Sequence, residues 1–111
     1  MCKIRLPTLT VYMTLGLFAA THLDAWAQVV RYQDVEAVAA SDVALYICAQ
    51  AYPAGLPQLQ AKLAQNLQGL GAPVPALRAA KTYAGLYNSQ LNAILTTSKK
   101  EREQFCKAAA E

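Results

Sequence analysis

The sequence predicts an all-α fold: a small bundle of three to four helices, closed by one disulfide and preceded by a leader that is cleaved away. Three observations carry this expectation. Apolar residues recur at three- and four-residue spacing after residue 28, and the strict alternation of a half-buried strand is nearly absent. Proline and glycine are gathered into short breaks at positions 53–55 and 69–75. Two cysteines, Cys48 and Cys106, remain once the leader is set apart.

The leader is read over residues 1–27. Lys3 and Arg5 form a positive head, and the fifteen residues 6–20 are dominated by Leu, Val, Tyr, Met, Phe and Ala. A more polar stretch, Thr21 to Asp24, then leads to Ala25-Trp26-Ala27, the small-x-small pattern of a signal-peptidase site. The apolar run is shorter than the roughly 20 residues that cross a bilayer, so a retained anchor is disfavoured. No cysteine stands at the cleavage point to take a lipid. Residues 28–111 form the single domain that this length allows.

The first helix of that domain is expected over residues 34–52, with Val35, Val38, Leu45, Cys48 and Tyr52 along one face. Ser41 is a plausible N-cap for a separate segment, which would break this helix near Ser41-Asp42. Pro53 and Gly55 end it. A second helix opens at Pro57, a residue suited to a first turn. Leu56, Leu59, Leu63, Leu67 and Leu70 make its apolar stripe. A third and longest helix is expected over residues 75–96, with Leu77, Ala80, Ala84, Tyr87, Leu91 and Ile94 on one side. Gly85, beside Ala84, would there allow a neighbouring helix to come close. Ser98-Lys99-Lys100-Glu101 is a capping box that starts the last helix, which carries Phe105 and Cys106 inward.

Cysteine usage follows the compartment. In an oxidising space an even pair in a short domain reads as a disulfide, and two cysteines allow a single intramolecular pairing. A redox role would want them close together in a C-x-x-C motif. They lie 58 positions apart.

Composition excludes more chemistry than it suggests. His22, Trp26, Met1 and Met13 all fall in the leader, so residues 28–111 contain no histidine, tryptophan or methionine. That removes Ser-His-Asp and Cys-His catalytic sets, a histidine general base, imidazole metal ligation and the usual haem ligands. Asp34 with Glu36, and Glu101 with Glu103, are two apart and point to different sides of a helix, so neither is a catalytic pair. Asp34 and Glu36 suit a helix N-terminus, and Glu103 is placed to pair with Lys107. Gly69-Leu70-Gly71 lacks the rest of a phosphate loop and reads as a turn. No catalytic, cofactor or metal residue is expected, and the chain is read as non-enzymatic.

Eight basic and six acidic side chains after the leader give a dispersed net charge of +2, not a nucleic-acid footprint. From residue 53 to 98 the only formal charges are Lys62, Arg78 and Lys81, and the remaining polar positions are amides and hydroxyls. Tyrosine offers contact area with a polar tip, and charge is depleted at interface centres. Tyr83, Tyr87, Gln65, Gln68 and Asn88 are therefore the candidate protein-binding surface; the alternative is that the tyrosines line the bundle with their hydroxyls at its rim.

The function expected is that of a small exported interaction protein of the cell envelope, periplasmic or else secreted. It would serve as an accessory part of a secretion or conjugation system, or as an inhibitor or immunity protein, binding another exported protein. Alternatives are a periplasmic holdase-type chaperone using the leucine stripe, and a small-ligand carrier with a cavity between its helices.

Overall fold

A computed structural model describes residues 29–111, and over them all regular secondary structure is helical. The leader assigned to residues 1–27 lies outside the described residues. Helix α1 runs Tyr32–Ala51 and is followed by a 3-10 turn, Pro53–Gly55. Then come α2 (Leu56–Asn66), α3 (Val74–Arg78), α4 (Tyr83–Leu95) and α5 (Lys99–Ala110). No described helix is long and apolar enough to cross a membrane.

Helix α1 is the axis of the fold. Its buried positions fall on two sides. Val35 and Val38, in the first half, pack with Ala72 and Leu77. Val43, Ile47 and Cys48, in the second half, pack with Leu59 and Cys106. At about 3.6 residues per turn these two sets face nearly opposite directions. The following elements divide to cover both. On the leucine stripe, Leu59 and Leu63 join the second cluster while Leu67 and Leu70 join the first. On α4, Tyr87, Leu91 and Ile94 join the second cluster while Tyr83 and Leu86 join the first.

The expected break at Ser41 does not occur. Ser41 is a buried mid-helix residue, and Asp42 beside it uses its carboxylate against α3 and α4 instead of capping a new helix. Tyr52 closes α1 by donating its N–H to the Cys48 carbonyl at 2.9 Å. Pro57 occupies the first turn of α2, as expected. Past α2 the chain reverses at Gly69, whose φ of +79° is the one positive value among the described residues and suits a residue without a Cβ.

The long third helix expected over residues 75–96 is two helices, which raises the count to five. The chain turns at positions 79–82, where Tyr83 donates its N–H to the Ala80 carbonyl at 3.1 Å. The cause is the side chains on either side of the turn. Arg78 and Tyr83 both reach the Asp42 carboxylate. In an unbroken helix, residues five apart are rotated by about 140° and cannot converge on one acceptor.

On α4 the expected Tyr87, Leu91 and Ile94 pack against the second cluster, half-buried, while Ala84 does not join them. Ala84 is exposed, and a Cβ built on Gly85 would have nothing within 4 Å, so the close helix approach expected there is absent among the described residues. In α5, Ser98 caps the helix by accepting the Glu101 N–H at 3.1 Å, and Glu103 pairs with Lys107 at 3.2 Å. Cys106 is buried as expected, but Phe105, one residue earlier and so about 100° round the helix, is 47% exposed.

Cys48 and Cys106 are disulfide-bonded, with an Sγ–Sγ distance of 2.08 Å and a Cα–Cα distance of 5.5 Å. The bridge sits inside the second cluster and joins α5 to α1. Closing 58 positions of chain lowers the entropy of the unfolded state by an amount worth about 4 kcal/mol in the loop-closure treatment.

Reduction with dithiothreitol, followed by scanning calorimetry, should therefore lower the melting temperature by roughly 15 °C or more; an unchanged transition would show that the bridge does not staple the fold. Gly85→Ala should raise stability by about 0.5–1 kcal/mol in urea titration, because the new methyl meets open space and alanine suits a helix interior. Destabilisation would mean that something does approach that face.

Candidate functional site

Two carboxylates tie the turns of the chain to α1. Asp34, in the first turn of α1, is buried and accepts the Gly71 backbone N–H at 3.0 Å and the Arg31 Nε at 3.0 Å. A Cβ at Gly71 would stand 3.1 Å from the Asp34 carboxylate and 3.0 Å from the Val29 carbonyl, so glycine is what allows this approach. The Gly71 N–H holds the Asp34 carboxyl below the usual carboxylate range; burial opposes the shift, and Arg31 adds to it.

Asp42 is the larger junction. Its Oδ1 accepts Arg78 Nη2 at 2.9 Å, and its Oδ2 accepts both Arg78 Nε at 2.9 Å and the Tyr83 hydroxyl at 2.5 Å. A two-pronged guanidinium contact of this kind fixes orientation as well as distance. Burial is the largest single influence on Asp42 and pushes its carboxyl up. The hydrogen bonds from Arg78 and Tyr83, with the Arg78 charge, outweigh it and leave the group below its ordinary range. Burial first, then the bond to Asp42, pushes the Tyr83 phenol up to about 12. Both Asp42 oxygens are thus occupied, and the Tyr83 hydroxyl is held as a neutral donor. Neither is poised to exchange a proton with a substrate near neutral pH. The cluster is a clasp between α1 and the α3–α4 turn.

Among the described residues, no three or more His, Cys, Asp or Glu side chains are grouped to hold a metal ion.

The concave surface lies elsewhere, between α1, α2 and α5. It is a groove of about 610 Å³, open along one side. Ala37, Ala40 and Ala44 form its floor at helical spacing, with Ser41 between them. Leu59, Leu63 and Leu67 form one wall, and Phe105 and Ala109 the other. Lys62, Gln65 and Asn66 are exposed lining residues and supply its polar edge. Lys62 forms no salt bridge among the described residues. Small side chains on α1 leave this hollow, because α2 and α5 meet α1 on either side of the alanine ridge and nothing larger fills the space between.

The residues read from sequence as a binding surface are distributed differently. Gln65 lines the groove, while Gln68 and Asn88 are exposed elsewhere. Tyr83 and Tyr87 are half-buried, their ring centroids 5.9 Å apart, and the Tyr83 hydroxyl is committed to Asp42. One sequence signal falls on the groove, the leucine stripe; the α1 alanines were not among the residues singled out. The leucine stripe supplies three wall residues, and the alanines of α1 sit at 37, 40 and 44. Its third element, Phe105, was assigned to the core.

No family model matches the chain, and no curated protein or solved structure is significantly similar to it.

Above neutral pH the clasp makes a distinct prediction. Tyr83 ionises near 12 in the folded protein against about 10 when unfolded, so its share of stability is intact below about pH 10 and is lost as pH rises through about 12. A difference absorbance titration against Tyr83→Phe should show one missing step near pH 12. Asp42 has the opposite sense: its contribution is present above the ordinary carboxylate value of about 3.9 and fades as pH falls through its lower folded value. Asp42→Ala should cost about 2–3 kcal/mol in urea titration at pH 7, since it strands both donors, and the stability lost on acidification should shrink with it.

Proposed function

We propose that this protein is a non-enzymatic interaction protein of the cell envelope, exported by its N-terminal leader and docking another exported protein through the groove between α1, α2 and α5. The observation that carries this reading is the groove itself. It is an open apolar hollow in a small fold whose α1 carboxylates, buried Asp34 and half-buried Asp42, already have partners within the chain. Binding energy concentrates in desolvated apolar hollows edged by polar groups, and this surface has that form. The disulfide supports an oxidising compartment, with the periplasm favoured and full secretion the alternative. Accessory components of secretion or conjugation systems and inhibitors or immunity proteins fit these properties.

Two other uses of the same groove draw on particular features. Its volume falls within the roughly 300–1,000 Å³ of small-ligand sites, which suits a carrier. Its leucine wall would serve a holdase that covers unfolded segments.

Brief crosslinking of the tagged protein in its native envelope, followed by affinity capture, tests the three together. A single partner recovered in stoichiometric amount is expected. A broad spread of unfolded proteins would instead identify a holdase, and an empty capture with a small molecule retained in native mass spectrometry would identify a carrier.

A further inference from the structure

The groove has a shape, a length and a charge, and together they narrow the class of occupant. This inference rests on the interaction reading above. From Ala37 to Ala44 the floor rises through seven residue steps, and from Leu59 to Leu67 the wall rises through eight. At 1.5 Å per residue these are about 10 and 12 Å, or two turns of a helix and slightly more. The floor is alanine at three- and four-residue spacing, which lets a second backbone approach closely and receive side chains between its ridges. No strand is present among the described residues, so no sheet edge is available there to pair with an extended peptide. The opening along one side leaves an acyl chain poorly enclosed, whereas a helix needs to bury only one face.

Charge supplies the remaining constraint. Lys62 is the one formally charged residue lining the groove, and it has no salt-bridge partner among the described residues. A carboxylate on the occupant would meet it at the rim. A second copy docking through the same face would instead bring two Lys62 side chains into one interface with no acidic lining residue to answer either.

We propose that the groove between α1, α2 and α5 receives one amphipathic helix of a partner protein, with about two turns of leucine-type side chains over Ala40 and an acidic residue beside Lys62.

The probes are two fluorescein-labelled 18-residue helical peptides with a leucine stripe at three- and four-residue spacing. They differ only in a flanking Glu or Lys, and they are titrated by anisotropy into protein purified after expression of the full 111-residue chain. The Glu peptide should bind one to one, about fivefold tighter than the Lys peptide, as expected for one exposed charge pair. Lys62→Glu should reverse that order. Ala40→Trp, at an exposed position where the ring fills the groove, should weaken both by at least about tenfold while circular dichroism and the melting temperature stay unchanged. Equal affinities for the two peptides in wild type and Lys62→Glu would overturn the proposal. So would full binding to Ala40→Trp, uptake of palmitate with neither peptide bound, or a dimer in sedimentation that Ala40→Trp dissolves. If Ala40→Trp still captures the crosslinked partner, the groove assignment fails while the interaction reading stands. If wild type captures none, the interaction reading itself has failed.

Discussion

One helix has to be covered on two sides, and the rest of the chain is arranged to do it. The buried residues of α1 change face between Val38 and Val43, so a single neighbour cannot shelter them all. At about 1.5–3 kcal/mol for each large apolar side chain removed from water, leaving either side bare would be a sizeable fraction of a small domain's stability. The later elements resolve this by spanning both clusters. The leucine stripe and α4 each contribute to one side and then to the other. The result is two small cores sharing an axis, which is a different object from a bundle with one central seam.

Asp42 sits where α1 changes face, and its carboxylate sets the path of the chain that follows. A continuous helix from α3 into α4 would have better backbone continuity but would separate Arg78 from Tyr83. The turn between them gives up helical hydrogen bonds and gains three bonds to one carboxylate. Charge-assisted bonds in a half-buried setting are among the stronger polar contacts, and a turn of four residues is a modest disruption. Asp34 does the same on a smaller scale at the turn that carries Gly71. Both aspartates of α1 therefore act where the chain changes direction.

Periodicity made the helical class, α2, α5 and the pairing of Cys48 with Cys106 legible before any coordinates. It did so because apolar spacing and the cysteine count are local or arithmetic properties of the sequence. The break after Arg78 was not legible: residues 75–96 carry a good helical pattern, and what interrupts it is a carboxylate 36 positions away. Ser41 misled for a related reason, since a hydroxyl beside an aspartate resembles a cap until tertiary contacts claim the aspartate. The candidate surface around Tyr83 and Tyr87 rested on composition, which says that tyrosine suits interfaces but not which tyrosine is already in use. Phe105 was placed inside because large aromatics usually are. Its exposure depends on which side of α5 the disulfide turns toward α1, and spacing alone did not separate Phe105 from its neighbour.

The position of α1 also orders the events of the protein's birth. Synthesis delivers this axis before the segments that cover it among the described residues, with both its apolar sides and the Cys48 thiol still to be enclosed. The first cluster can close once residues around Ala72 and Leu77 have emerged, but the second waits for Cys106, 58 positions after its partner. Until then the nascent chain carries a helix with one apolar side uncovered and a Cys48 thiol without its partner.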